Sequence, residues 1–403
     1  MTIDARESRV DSLTRRTLGP TWRVPYIRPV FPDPELVAED LREIVAANWY
    51  TNFGPFEQRF AAGIEAYLGG TRHAVTVSNA TSGLMVALSL TLPDPAARPG
   101  LVLVASYTFA AGPEAVRWCG HRPCFIDVDP VTLQPCLASA RRALAEHGAD
   151  VVGVLLTNTF GIGNTEIGAW EELAAEHGLP LVLDSAAGFG SHYPDGRPVG
   201  TAGDCEVFSF HATKPFAIGE GGAIVWRRAQ DAAAGKASTN FGFRERSAQV
   251  VGLNAKLQEL NAAIGLRQLA RFDEALAGRR SSFRRLREAL DEAGAVLEIV
   301  PGQERSALGA CIALARSAQE RDAIFAALSA AQVEARKYYA PAVHEQPAFR
   351  TDPRADELAG TRDVCARVLN IPVHETMTDQ EIGYVAAAVA SVTASAGLVE
   401  AAR

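Results

Sequence analysis

The feature that most constrains this chain is a regular alternation of short apolar runs and amphipathic stretches across residues 74–184. The runs at 74–78, 101–105, 123–128, 151–156 and 180–184 read as strands, because they are short, apolar and bounded by turn residues. The intervening stretches at 84–90, 110–118, 137–147 and 169–177 carry helical spacing. Strands joined through helices make crossover connections, and crossovers place helices on both faces of a mostly parallel sheet. Ligands of such sheets bind beyond the carboxyl ends of the strands. Asp184 ends its strand there, and Phe109 stands just past another.

Two helices are expected before this region, at 36–48 and 56–68, separated by the turn residues Asn48 to Pro55. After it, 254–294 reads as a long charge-laced helical region with a bend expected near Gly265 or near Ala277-Gly278. A strand at 308–314, a helix at 319–330, a strand at 333–337 and a last helix follow. The last helix opens on the capping box Thr378-x-x-Glu381 and ends through 386–396, leaving 400–403 as a free tail. The 403 residues suffice for roughly two or three domains. The expected division is an N-terminal arm over 1–25, a large domain over 26–255, and a connecting helix with a small C-terminal domain over 256–403. Residues 1–16, polar and mixed in charge, are expected to form a loose tail.

Charge and composition remove several function classes. The net charge of −8, from 39 basic and 47 acidic residues, offers no footprint for nucleic acid. No run approaches the ~18 apolar residues of a membrane helix, and residues 1–16 lack the apolar core of a secretory signal. Six cysteines, at 119, 124, 136, 205, 311 and 365, form no Cys-x-x-Cys pair, and no histidines stand at zinc spacing. Reduced thiols, a cytoplasmic location and no metal are the expectation.

The stretch Phe208-Ser209-Phe210-His211-Ala212-Thr213-Lys214 followed by Gly219-Glu220-Gly221-Gly222 places one lysine on a loop between two apolar strands. Burial is costly for a charged amine. Lys214 is therefore either an ordinary surface lysine or an amine poised to form a Schiff base with an aldehyde cofactor. The segment Asn79-Ala80-Thr81-Ser82-Gly83, between a strand and a helix, fits a plain N-cap and equally an anion site at a helix N-terminus. Asp184, Ser209 and Phe109 each have an unremarkable structural use as well. Together they supply what a pyridoxal phosphate site needs: an amine, a carboxylate for the ring nitrogen, phosphate donors and a stacking ring.

In this order the motifs resemble those of the DegT/DnrJ/EryC1/StrS family of sugar aminotransferases, from about residue 25 to 390. The matching pieces are Trp49 to Glu57, Val77 to Leu84, Ser106-Tyr107-Thr108-Phe109, Val182 to Ala186, Phe208 to Lys214, Gly219-Glu220-Gly221-Gly222, Gly252-Leu253-Asn254-Ala255-Lys256, and Arg336-Lys337-Tyr338-Tyr339-Ala340-Pro341 with His344. The resemblance implies a fold-type I pyridoxal phosphate enzyme, α/β, with a mostly parallel seven-stranded sheet and a smaller α+β domain. It implies that Lys214 carries the cofactor and moves the proton of the transamination, and that Asp184 keeps the ring nitrogen protonated. Ala80, Thr81 and Ser209 would hold the phosphate, Phe109 would stack on the ring, and Asn254 would reach the phosphate of a partner subunit in a homodimer.

The resemblance further implies an amino group moved from L-glutamate or glutamine to a keto sugar, in amino-sugar, antibiotic or other secondary-metabolite biosynthesis. A nucleotide-linked 4-keto-6-deoxy sugar is the expected acceptor. Trp49, Thr51, Lys256, Arg336, Lys337, Tyr338, Tyr339 and His344 are the candidates to hold it, with a solvated strand edge or plain core as the competing use. One position departs from the pattern. Ala187 stands three residues after Asp184, where the family usually has Gln or His beside the cofactor's phenolic oxygen, and a methyl cannot donate there. That departure keeps an aminocyclitol or other keto acceptor open. A cofactor-binding regulatory protein without turnover is a further class, against which the joint presence of Lys214 and Asp184 argues.

Overall fold

The computed structural model describes residues 22–400. The expected tail at 1–16, most of the 1–25 arm and residues 401–403 lie outside the described residues. Two helices, α1 (Pro34–Ala47) and α2 (Pro55–Tyr67), precede the sheet, each with proline in its first turn. There follow β1 (His73–Val77), α3 (Ala80–Thr91), β2 (Leu101–Ala105), α4 (Ala111–Trp118), β3 (Arg122–Ile126), α5 (Leu137–His147), β4 (Val151–Thr157), α6 (Ile167–Glu176), β5 (Leu181–Asp184), β6 (Cys205–Ser209) and β7 (Gly222–Trp226).

The seven strands form one sheet in the order β1-β7-β6-β5-β4-β2-β3. β6, β5, β4, β2 and β3 pair in parallel, while β7 runs antiparallel to both β1 and β6. This is the mostly parallel seven-stranded sheet that the resemblance implied. Both faces are covered, which is why β4 is buried along its whole length. One face packs on α3 and α4 through Leu84, Val86, Ala115 and Val116. The other packs on α2, α5 and α6 through Phe60, Ile64, Ala143 and Trp170.

Beyond the sheet come α7 (Ala229–Ser238), a short hairpin β8 (Phe243–Arg244) and β9 (Ser247–Ala248), and the 34-residue α8 (Glu259–Glu292). A second core gathers around the antiparallel sheet of β10 (Glu298–Ile299), β11 (Ala310–Leu314) and β12 (Val368–Pro372), covered by α9 (Ala318–Ala330) and α11 (Asp379–Glu400), with α10 (Ala359–Arg367) leading into β12. The capping box at α11 closes in both directions: the Thr378 N–H donates to Glu381 Oε2 at 2.9 Å and the Glu381 N–H to Thr378 Oγ1 at 3.2 Å.

Two expectations need correction. α8 is one helix without a break. Its glycines serve close packing: a Cβ on Gly265 would stand 2.6 Å from the Phe60 ring, and one on Gly278 would stand 2.7 Å from the Glu375 carbonyl. Residues 333–337 form no strand. They make two isolated bridges, Val333 to Val24 and Arg336 to Asn370, because the chain changes partner between them. The strand in that sheet is β12.

Candidate active site

Three strands end side by side at the cleft. Thr157 of β4 pairs in register with Asp184 of β5, which pairs with Val207 of β6. Paired residues of parallel strands project to one face, and Ser209, two beyond Val207, projects to the same one. α3 begins on that face. Asn79 caps it, its Oδ1 accepting from the Ser82 N–H at 2.9 Å. The cap and the anion site are therefore not alternatives, since the N–H groups of Ala80 and Thr81 precede the first helical bond and stay available. Gly222 opens β7 against this turn. A Cβ there would stand 3.2 Å from the Ala80 nitrogen and 2.5 Å from the Phe208 carbonyl oxygen. The second glycine of the Gly-Gly pair thus keeps clear the floor beside the α3 N-terminus.

Lys214 lies on a loop tied across its neck. The Phe210 N–H donates to Gly221 O at 2.8 Å and the Ala212 N–H to Gly219 O at 2.9 Å. Lys214 as a residue is half-buried, yet its surroundings are dense enough that desolvation dominates and pulls the ammonium below the ordinary lysine range. The Asp184 carboxylate offsets this in part. Burial likewise raises Asp184, opposed by the Ala186 N–H at 3.1 Å and by the Lys214 charge. Each charge thus bears on the other's proton affinity.

An aromatic wall closes the cleft. Phe109, exposed just before α4, has its ring centroid 6.2 Å from that of Tyr339. Tyr339 stacks on Phe160 at 5.2 Å and on Tyr338 at 5.6 Å. Burial raises its phenol pKa, and the Asp184 charge raises it further. Tyr338 and Tyr339 are thus brought to the candidate site.

Three of the basic candidates have partners elsewhere in the fold. Lys337 reaches across to α9, 2.5 Å from Asp322 Oδ1 and 4.4 Å from the Phe325 ring centroid. Arg336 pairs with Glu334 at 2.5 Å and lies over Tyr26. His344 is buried, with Nδ1 at 2.6 Å from Ser106 Oγ and its ring against Phe125, and burial lowers its pKa. Each already has a partner within the fold. The first two are ion-paired rather than part of a positive strand edge, the competing use expected for them.

Trp49 and Thr51 lie in the link between α1 and α2, held where the Glu259 N–H donates to Tyr50 O at 3.1 Å. Asn254 is exposed, and its Oδ1 accepts from Lys256 Nζ at 2.7 Å; that ammonium also sits 4.8 Å from the Phe241 ring centroid. Glu259, Phe160 and Thr157 were not singled out by sequence reasoning. The one available signal was Thr157, a hydroxyl closing an otherwise aliphatic strand.

Residues 33–390 match the DegT/DnrJ/EryC1/StrS aminotransferase family. The chain belongs to that family. This DegT/DnrJ/EryC1/StrS aminotransferase is 44% identical over 373 residues to Protein Rv3402c of Mycobacterium tuberculosis, covering 91% of this chain and 89% of the relative. It is 34% identical over 289 residues to the L-glutamine:2-deoxy-scyllo-inosose aminotransferase of Micromonospora echinospora, 66% of each chain. The structure of DesI in the presence of its TDP-sugar product superposes with a TM-score of 0.83 at 32% identity, covering 96% of both chains.

The aminotransferase uses pyridoxal phosphate, and its residues fit that group. The space beside Ala80, which a Cβ on Gly222 would fill, suits a phosphate. Asp184 suits a protonated ring nitrogen, and Lys214 an aldehyde carbon. No helix among the described residues is long and apolar enough to cross a membrane.

Proposed function

We propose that this aminotransferase moves an amino group from L-glutamate or L-glutamine to a nucleotide-linked 4-keto-6-deoxy sugar. The observation that carries the reading is Asp184 at the end of β5, on the sheet face where α3 presents its N-terminus, with Lys214 on the tied loop that leaves the adjoining β6. The likeness to DesI with its TDP-sugar product, across 96% of both chains, supports the sugar.

Bound pyridoxal phosphate supplies an electron sink for the pair released when the donor's Cα–H bond breaks. Ala80 and Thr81 N–H groups, with the hydroxyls of Thr81 and Ser209, donate to the phosphate. Asp184 accepts from the ring N–H and keeps that proton in place. Phe109 would stack on the ring and exclude water there. Lys214 Nζ, its proton affinity lowered by burial, takes the proton from the donor's Cα and returns it on the acceptor side. Tyr338, Trp49, Thr51 and Lys256 remain the candidates to hold the sugar.

The aminocyclitol reading is the second, favoured by the Micromonospora relative and by Ala187, though that likeness spans only 66% of each chain. The enzyme is further proposed to act as a cytoplasmic homodimer. Phe241, Phe243, Val250 and Val251 are apolar and exposed around Asn254, so a second copy covering them would carry each Asn254 toward its partner's phosphate.

One experiment separates these readings. Adding glutamate, then glutamine, to the cofactor-loaded enzyme should bleach its visible absorption. Keto sugars and keto cyclitols offered afterwards should restore it, and the one that does so identifies the acceptor class. A colour indifferent to both donors contradicts the transamination.

A further inference from the structure

We infer that Thr157 donates a hydrogen bond to the phenolic oxygen of pyridoxal phosphate, with Thr108 ordering its hydroxyl. This rests on the site reading above. In the ring, the phosphate arm and the phenolic oxygen flank the carbon that meets Lys214, on opposite sides of the line to the ring nitrogen. The phosphate floor, made by α3, the end of β6 and the start of β7, lies on one side of β5 in the strand order β1-β7-β6-β5-β4. With the nitrogen on Asp184, the phenolic oxygen is turned toward β4. A buried phenolate without a donor is costly, and the Ala187 methyl offers none.

β4 ends in Thr157, in register with Asp184 and on the same face. Gly112 of α4 confirms the face: a Cβ there would stand 3.2 Å from Leu155, two residues before Thr157, and 3.7 Å from Asp184 Oδ2. Residual exposure traces the cleft lining. Thr157, Asp184 and Ser209 keep 8%, 6% and 8%, while the adjoining Asn158 and Ser185 keep 2% and 0%. Asn158, the other polar group at this strand end, is committed. Its amide nitrogen donates to Ser185 Oγ at 2.8 Å and Tyr193 Oη at 2.9 Å, and its Oδ1 accepts from the Asn164 N–H. Thr157 Oγ1 has one partner among the described residues, Thr108 Oγ1 at 3.3 Å. If Thr108 donates in that contact, the Thr157 proton is free for the ligand. Asp184 lies beside this spot in register, and the Lys214 and Tyr339 groups both couple to its charge, so the Tyr339 hydroxyl is the rival donor.

The test is a pH titration of the visible absorption of the protein loaded with pyridoxal phosphate alone. A donor stabilises the phenolate and weakens its hold on the proton shared with the lysine-linked nitrogen. Its loss should therefore move the colour change to higher pH. Thr157→Val should shift the transition upward by about one to two pH units, the value of a hydrogen bond to a charged group. Thr157→Ser should titrate with wild type. Thr157→Ala repeats the measurement should the valine variant not fold. Titration of Thr157→Val or Thr157→Ala at the wild-type pH overturns the assignment, as does an upward shift produced by Tyr339→Phe alone. A wild type that never colours, like the Lys214→Ala control, sinks the site reading instead.

Discussion

Glu259 caps a helix that begins more than two hundred residues earlier: its carboxylate accepts the N–H of Phe56 at 2.9 Å and of Glu57 at 2.8 Å. The bonds tie the first residue of α8 to the first turn of α2, where a carboxylate also meets the positive end of the helix dipole. Gly54 makes the approach possible, because a Cβ there would stand 2.5 Å from Glu259 Cδ. Glu259→Ala leaves two buried N–H groups without an acceptor and should cost about 3 kcal/mol in urea unfolding. Glu259→Gln, which keeps one carbonyl acceptor, should fall between. A loss below about 1 kcal/mol for the alanine variant would show that the cap is dispensable.

Lys214→Ala should abolish the visible band and slow the donor half-reaction by on the order of 10²-fold or more. It should also stabilise the cofactor-free protein. Burial lowers the folded-state pKa of this lysine, so at neutral pH its ammonium costs stability that the alanine does not. The gain is largest below the folded pKa and fades as pH rises toward the ordinary lysine value. Melting temperatures of both proteins at neutral and alkaline pH check the sign.

Gly222→Ala places a methyl against Phe208 O and Ala80 N. Its affinity for pyridoxal phosphate should drop roughly tenfold or more, measured by fluorescence titration. Binding of pyridoxal, which lacks the phosphate, should change far less. Equal losses for both ligands would place the damage in the β6–β7 pair rather than in the phosphate floor.

His374 is buried, with Nε2 3.4 Å from the Tyr26 carbonyl oxygen, and burial, reinforced by Arg28 and Arg279, pulls its pKa down to about 4. The folded pKa lies below the ordinary histidine value, so the stabilisation is complete above about 6.5 and drains away as pH falls toward 4. Between pH 7 and pH 5 this one residue should account for about 2 kcal/mol of lost stability. Denaturation of His374→Gln at the two pH values should show a correspondingly smaller loss.

What the sequence determined by itself is what neighbours along the chain decide. The alternation at 74–184 specified a covered parallel sheet, because apolar runs of strand length joined by helices have few other ways to bury themselves. Asp184 at a strand end, the polar turn at Asn79–Gly83 and the lysine loop before the glycines were legible for the same reason, as was the Thr378–Glu381 box. α7 escaped, since Ala229–Ser238 is alanine-rich and carries little apolar periodicity.

The tertiary structure alone decided whatever depends on residues distant in the chain. Gly265 and Gly278 read as a bend until the Phe60 ring and the Glu375 carbonyl supplied the contacts they accommodate. The partners of Lys337 and His344, Asp322 and Ser106, are likewise supplied from far along the chain. Thr157 became a candidate only through its register with Asp184, and Glu259 only across the gap to Phe56. Side-chain polarity is written locally, whereas the partner that satisfies a buried donor or charge is chosen when the strands and helices close around it.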